Sequence, residues 1–572
     1  MESPKIQSGI AMHLFTEKSL DVLDKISSQY KGPRIISFPP HLTNYVRQVL
    51  TPELVSKNFK SVLPTSCIEA SSKDYTLFII TTPEKELIED YCDLFRNVPN
   101  YTKVILVIPK YSVYLKSILN DKGFICVEDN KPNGVNEVGV YNFQCNFLPI
   151  GNDFFLLPCY NSFSNIILKA NYNDIEASAL VLSRIENVFG FIPEITCIGE
   201  YSDKISLLLQ QFGSRAPKSK IPQIDSLIIV DRSFDLITPL LTEVHFEGYI
   251  ETAYNTSYGI TETENKKTLF LTENNEVFRK VRTMSWNKTK EYLLTVQDSL
   301  NKNLDAIKNS VNVKEQKIYF DNLSKLNLLK EQLTEYFQLA NNAVKKNHDL
   351  YPLFEEIVQA EFNLLYTGKK IIDFAENLVT IYDDWFNALR LIFLQNAFGN
   401  YLGMKDVGQV QHSICSEFGL SKCQESLINL EKIGYLSFSE FKIPMKGCLS
   451  GLSLFADVNE NMESIEPIGS AFGGYIPPAL RVVQKIVDGE LDSLNKLIGE
   501  KVKITHYGEP SIKEANETKR IIVFFVGGVT SLEEGTIRNL GRSIYDGKIE
   551  FIIGSTEKIN STSFLHQLCP FL

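Results

Sequence analysis

No stretch of the chain approaches the roughly 18 consecutive apolar residues that a membrane-spanning helix needs. The opening residues, MESPKIQSGIAMHLF, have neither a basic leading region nor a continuous apolar run, so a secretory signal is not expected and the cytoplasm is. The ten cysteines contain no CxxC pair and no regular spacing. That argues against a zinc site and against a disulfide scaffold, and reads them as small buried thiols. Clustered positive charge is also missing: Lys and Arg number 58 against 69 acidic residues, for a net charge of −11. Nucleic acid and unaided attachment to acidic lipid both need such clusters to neutralise phosphate, so proteins are the expected partners. The longest basic run, RAPKSK at 215–220, reads as a solvated connector. Histidine is sparse, with seven scattered residues, and no GxSxG, HExxH or His-Asp-Ser grouping occurs. Neither a cofactor nor a metal is expected.

What is present is an ordinary globular composition, 44% hydrophobic and 22% charged, over a length of 572 residues that exceeds one core. About three or four domains are expected. The first third alternates short apolar runs (PRIISF, TLFII, KVILVI) with segments of helical spacing, the pattern of a mostly parallel α/β sheet. FLPIGNDFFLLP at 147–158 breaks that pattern and a second α/β unit follows. From roughly 270 to 435 strand signals nearly vanish and Leu, Lys, Glu, Asn and Gln dominate, so this part is expected to be helical. The α/β texture returns with RIIVFFVGG (520–528) and IEFIIGS (549–555). Two such strands are marginal alone, so the C-terminus is expected to return and complete the second sheet. The domains are then 1–140, 141–238 with 502–572, and a mostly helical insertion at 239–501.

SLIIVDRSFDLITPLL (226–241) has the look of an active-site mouth: a buried strand with Asp231, Arg232 and Asp235 at its carboxyl end, where open α/β sheets usually hold ligands. Two readings compete. A phosphoryl or nucleotide hydrolase could work at this DRxxD end of the sheet, with His245 as a conceivable base. Alternatively, the arginine fork holds the two flanking aspartates, while Thr238 and Pro239 end the turn and fix the angle at which the chain leaves one domain for the next. The second is favoured, because the first has no nucleophile, metal cluster or phosphate cradle. FFVGGVTSLEEG (524–535) is no such cradle: it lacks the Lys-Ser/Thr, and Glu533 and Glu534 in the first helical turn would repel phosphate. Thr530 with Glu533, or Ser531 with Glu534, makes a capping box instead. In the helical middle, Leu326, Leu329, Leu333, Phe337, Ala340 and Val344 form one apolar stripe, with Lys, Glu, Gln and Asn opposite.

IIVDRSFDLITPLLTEVHFEGYIE (228–251) resembles the hallmark segment of the SM (Sec/Munc) family, cytosolic proteins that bind SNAREs and promote membrane fusion. VFGFIPEITCIGEYSDKISLLL before it, and LINLEKIGYLS, FGGYIPPALRVVQKIV and IIVFFVGGVTSLEEGTIRNL after it, are similar in order to the vacuolar protein sorting-associated protein 33 branch. The resemblance implies an α/β plus α fold, an arch of two parallel-sheet α/β domains and a mostly helical inserted domain, with no enzymatic activity. It implies SNARE partners and class C tethering-complex subunits of HOPS or CORVET type. These would recruit the protein peripherally to late endosome, vacuole or lysosome membranes, membrane contact being indirect. The mechanism it suggests is templating: a groove holding two SNARE motifs in register removes part of their ordering cost. The segment 311–345 is the best match for the family's helical hairpin, which makes Leu326, Leu329, Leu333 and Phe337 the SNARE-binding candidates. Whether that stripe meets a SNARE helix or the protein's own helices is open at this level.

Overall fold

The computed structural model describes residues 13–572 except 51, 70–73, 109, 144, 214–222, 255, 265, 272–274, 309–312, 351–352, 400, 438–449, 458–468, 470–472 and 510–517. The N-terminal region builds a six-stranded sheet from β1 (Arg34–Phe38), β2 (Ser61–Pro64), β3 (Thr76–Thr81), β4 (Thr102–Val107), β5 (Ile125–Glu128) and β6 (Glu137–Asn142). The order is β2-β1-β3-β4-β6-β5 and every pairing is parallel. β3 is buried at all six positions and β4 at five of six, as expected for Ile/Val/Leu runs covered on both faces.

The central sheet takes β7 (Leu148–Pro149), β8 (Phe154–Leu156), β9 (Glu194–Ile198) and β10 (Ser226–Asp231) from the first half of the chain. A small antiparallel hairpin of β11 (Ile260–Glu262) and β12 (Thr268–Phe270) lies apart from it. β13 (Ile504–Gly508), β14 (Lys519–Val526) and β15 (Ile549–Ser555) then complete the central sheet in the order β13-β9-β10-β14-β15-β8-β7. β10 and β14 run parallel, with Ile228 opposite Val523 and Asp231 opposite Val526. The outer strands β13 and β7 are antiparallel to their neighbours. β13, ITHYG, carries no long apolar run and is only partly covered, as an edge strand is, so no apolar pattern marks it in the sequence.

Between β10 and β13 the chain is mostly helical. Trp286–Lys308 and Val313–Leu350, of 23 and 38 residues, pack against each other as a long antiparallel pair. Trp385–Phe398 buries eleven of its fourteen residues, so it forms the inside of this region and not its surface. Among the described residues no helix is long and apolar enough to cross a membrane.

Candidate functional site

The motif at the end of β10 is closed. Asp231 lies opposite the start of the helix Glu200–Gly213, and its carboxylate accepts the N–H groups of Tyr201 at 2.8 Å and Ser202 at 2.7 Å. It satisfies donors that a helix N-terminus otherwise leaves orphaned. Gly199 is required for this: its φ is +117°, and a Cβ there would stand 2.1 Å from Asp231 Oδ2. Burial pushes the Asp231 carboxyl up to about 7, against the pull of the two backbone N–H groups.

The pairing of Asp231 with Arg232 expected from their spacing is therefore not formed. Asp231 ends β10 and Arg232 opens the 3-10 helix Arg232–Phe234, so their side chains diverge, and the arginine finds its partner at the far end of the chain. Arg232 is fully buried and donates from Nη1 and Nη2 to the two oxygens of Glu533, at 2.7 and 2.8 Å. Nε donates to the Asp235 carbonyl at 2.9 Å, and the Asp235 carboxylate lies 3.3 Å from Nη2. Burial notwithstanding, Glu533 and Asp235 hold the guanidinium firmly protonated. Glu533 also takes the N–H and hydroxyl of Thr530, each at 3.0 Å, and completes the Thr530 capping box.

Asp235 makes a tight turn of its own. Oδ1 accepts the N–H groups of Ile237 and Thr238, both at 3.0 Å, and Oδ2 accepts the Thr238 hydroxyl at 2.6 Å. The Thr238 hydroxyl and the Tyr475 hydroxyl are 3.1 Å apart, which brings in the segment before the helix Pro478–Val487. Pro239 sits in the first turn of the 3-10 helix Thr238–Leu240, where its missing N–H costs nothing. The Leu240 carbonyl then accepts from Arg390 Nη1 at 2.6 Å, and Arg390 pairs with Glu361, also at 2.6 Å. The DRxxD motif thus joins β10, the glycine turn after β14 and the helical region, and its polar groups are spent on that joint.

A second buried ion cluster lies beside it. Arg282 clasps Glu247 at 2.8 and 2.9 Å and reaches Glu534 at 2.7 Å. Arg538 bridges Glu534 and Asp153, and Lys558 lies within 3.1 Å of Glu247, Glu251 and Glu534. Despite burial, Arg538, Lys558 and Arg282 hold Glu534 well below the usual carboxylate range. His245 sits at this cluster fully buried, and burial pushes it down to about 4, so it is a neutral core imidazole near neutral pH. Sequence reasoning missed this cluster. Its one local sign was the Glu533-Glu534 pair; the partners Asp153, Glu247 and Arg282 lie hundreds of residues away.

A cavity of about 420 Å³ opens elsewhere, between the carboxyl ends of β3 and β4 and the start of the helix Asn173–Phe189; Glu84, Lys110, Tyr160 and Asp174 are among its lining. Asp231, Arg232 and Asp235 take no part in it.

The apolar stripe of the 38-residue helix divides. The side chains of Leu326 and Leu329 lie outside the described residues. Leu333 is 5% exposed and packs in a core with Phe246, Phe278 and Tyr336, and Phe337 is half-buried against the same core. Of the four SNARE-binding candidates, Leu333 therefore faces the chain's own helices and is not open to a partner. Buried Tyr336, Ala340, Ala343 and Asn347 continue that line at helical spacing.

Residues 40–567 match the family model described as the Sec1 family. Vacuolar protein sorting-associated protein 33A of Rattus norvegicus is 22% identical over 532 residues, 86% of each chain. The vacuolar protein-sorting-associated protein 33 homolog of Arabidopsis thaliana is 22% identical, covering 81% of this chain and 80% of its own. Among solved structures, the SM protein Vps45 in complex with the Qa SNARE Tlg2 superposes with a TM-score of 0.56 at 12% identity, over 97% of both chains. The Unc18–syntaxin 1 complex from Monosiga brevicollis gives 0.55 at 14% identity, over 97% of this chain and 99% of that one. With a family match running almost its whole length, the chain belongs to the Sec1 family of SM proteins, on its vacuolar protein sorting-associated protein 33 branch.

Proposed function

We propose that this protein binds SNAREs and templates their assembly for membrane fusion, as a subunit of a HOPS- or CORVET-type tethering complex at late endosome, vacuole or lysosome membranes. The observation that carries the reading is the near full-length match to the Sec1 family, together with fold neighbours captured with a Qa SNARE and with syntaxin 1. Names of relatives in vacuolar protein sorting support the membrane system, and class C subunits are the proposed tethering partners. The reading is of a binding protein and not of an enzyme: the DRxxD carboxylates are occupied by helix and turn N–H groups and by Arg232.

The domain limits 1–140, 141–238 with 502–572, and 239–501 belong to the same proposal, supported by the membership of β13 to β15 in the central sheet. The proposed SNARE-facing surface is the hairpin near 311–345, at Leu326 and Leu329 and at the exposed side of Phe337. Past residue 330, Leu333 and Ala340 of the stripe are taken up by the core around Phe246 and Phe278.

The test is a pull-down of purified protein with SNARE motifs, alongside circular dichroism melting. Leu329→Asp is expected to keep the melting temperature and weaken binding, since a lost apolar anchor typically costs about 2 kcal/mol, roughly thirtyfold. Leu333→Asp is expected to unfold the helical region, because it buries an unpaired charge. Wild-type binding by folded Leu326→Asp, Leu329→Asp and Phe337→Asp variants would end the hairpin assignment, and absence of any SNARE binding by the wild-type protein would end the functional one.

A further inference from the structure

We propose that Cys415 and Cys423 form an oxidation-sensitive dithiol that a hydroperoxide converts to an intramolecular disulfide at the corner between two helices. The helix Met404–Phe418 ends at Gly419, whose φ of +84° lets the next helix, Leu420–Ile433, begin at once. The tight corner folds the last turn of the first helix onto the first turn of the second. Cys415 stands one turn before it and Cys423 one turn after, with their sulfurs 3.7 Å apart. A disulfide needs a separation of about 2.05 Å, so rotation of the two side chains has under 2 Å to close.

The two thiols have different surroundings. Cys423 is fully buried and donates to the Gly419 carbonyl at 3.2 Å, and burial pushes its thiol up, so it is a poor first nucleophile. Cys415 is half-buried and open to a small oxidant. That division suits an attacking and a resolving thiol. The Cys415 thiolate attacks one peroxide oxygen; the O–O bond breaks, leaving a sulfenic acid on Cys415 and releasing alcohol, or water from hydrogen peroxide. Cys423 sulfur then attacks the sulfenyl sulfur and displaces hydroxide, which leaves as water with the Cys423 proton. Two thiols and one hydroperoxide become one disulfide, one alcohol and one water, and two electrons pass to the peroxide. A thiol reductant reverses the bond by exchange.

The position gives the bond a consequence. Phe418, beside the corner, packs on Trp385 with ring centres 5.4 Å apart and on Phe571 at 4.8 Å, so the same corner seats the last residues of the chain. Cys569, fully buried, is close enough to Cys423 to raise its own thiol further and is the competing resolving thiol.

The experiment treats the reduced full-length protein with hydrogen peroxide, alkylates the remaining thiols, and maps disulfides by mass spectrometry of a proteolytic digest. A crosslink between Cys415 and Cys423 that dithiothreitol removes is expected. Cys415→Ser and Cys423→Ser should each lose it and Cys569→Ser should keep it, in variants that melt like wild type. The proposal is overturned if both thiols stay alkylatable under peroxide, if Cys415 runs on to sulfinic acid without crosslinking, or if Cys423 pairs with Cys569 instead. Because the crosslink is read first on the wild-type protein, a variant that fails to fold does not remove the test.

Discussion

The two sheets are alike in strand composition and opposite in assembly. All six strands of the first lie between residues 34 and 142, so each finds its neighbours soon after it is made. The second draws its two most apolar partners, β10 and β14, from residues 226–231 and 519–526, with the helical region between them. Long-range pairing must overcome the closure entropy of the intervening chain before any contact repays it. The difference teaches where a lock is needed. The first sheet ends its strands without a buried ion pair, among the described residues. The second ends β10 in an arginine clamped from 301 residues away.

The largest way to break the comparison is truncation after residue 500, which removes β13 to β15 together with Glu533. β10 then becomes an apolar edge, and insoluble protein is expected, whereas a fragment of residues 1–143 should stay soluble and melt cooperatively. Solubility and a sigmoidal melt of the 1–500 fragment would show that the central sheet does not depend on its return strands. Next in size is Arg232→Ala, which leaves Glu533 and Asp235 facing each other in a dry site. Denaturant titration should show a loss of about 3–5 kcal/mol, and a paired replacement of Arg232 and Glu533 by methionine should recover much of it.

A smaller effect sharpens the role of Asp231. Its carboxyl titrates at about 7 in the fold against about 3.9 in an unfolded chain. The group therefore contributes stability that is fully present below about 3.9 and is lost as pH rises through about 7. Asp231→Asn removes that dependence and also replaces one of the two accepting oxygens by an NH2 group, a lost hydrogen bond that costs about 1 kcal/mol. Melting temperatures taken from pH 5 to pH 8 should show the variant at its greatest disadvantage at the acid end and gaining on wild type as pH rises. A difference that stays flat would mean that the carboxylate is ionised throughout. Smallest is Lys110→Ala. Lys110 meets Glu176 at 3.2 Å across the two sheet domains, both about half exposed, and the change should move stability by no more than about 1 kcal/mol.

How far the sequence carried the reading varies by residue. The Ile/Val runs of β3, β4, β10 and β14 announce strands buried on both faces, because only such runs fit a sheet covered twice. The Thr530–Glu533 capping box was legible from a three-residue spacing. The separate partners of Asp231 and Arg232 are not legible from their adjacency, because the chain turns from β10 into a 3-10 helix between them. On the long helix the apolar stripe was legible but its neighbour was not: Leu333 turns to Phe246 and Phe278, which precede it by more than fifty residues.

By itself the sequence determined what depends on local chemistry: which segments are strands or helices, the absence of a membrane-spanning run, the capped helix after the glycine turn, and the run of motifs that marks the family. Only the tertiary structure decided which carboxylate Arg232 clamps, that Asp231 closes the helix at Gly199, and which side of the 38-residue helix is core. The physical reason is reach. Hydrogen bonding along a helix or strand is set by residues a few positions apart, whereas a buried charge takes whichever opposite charge the packed chain brings within about 3 Å, and sequence distance places no limit on that.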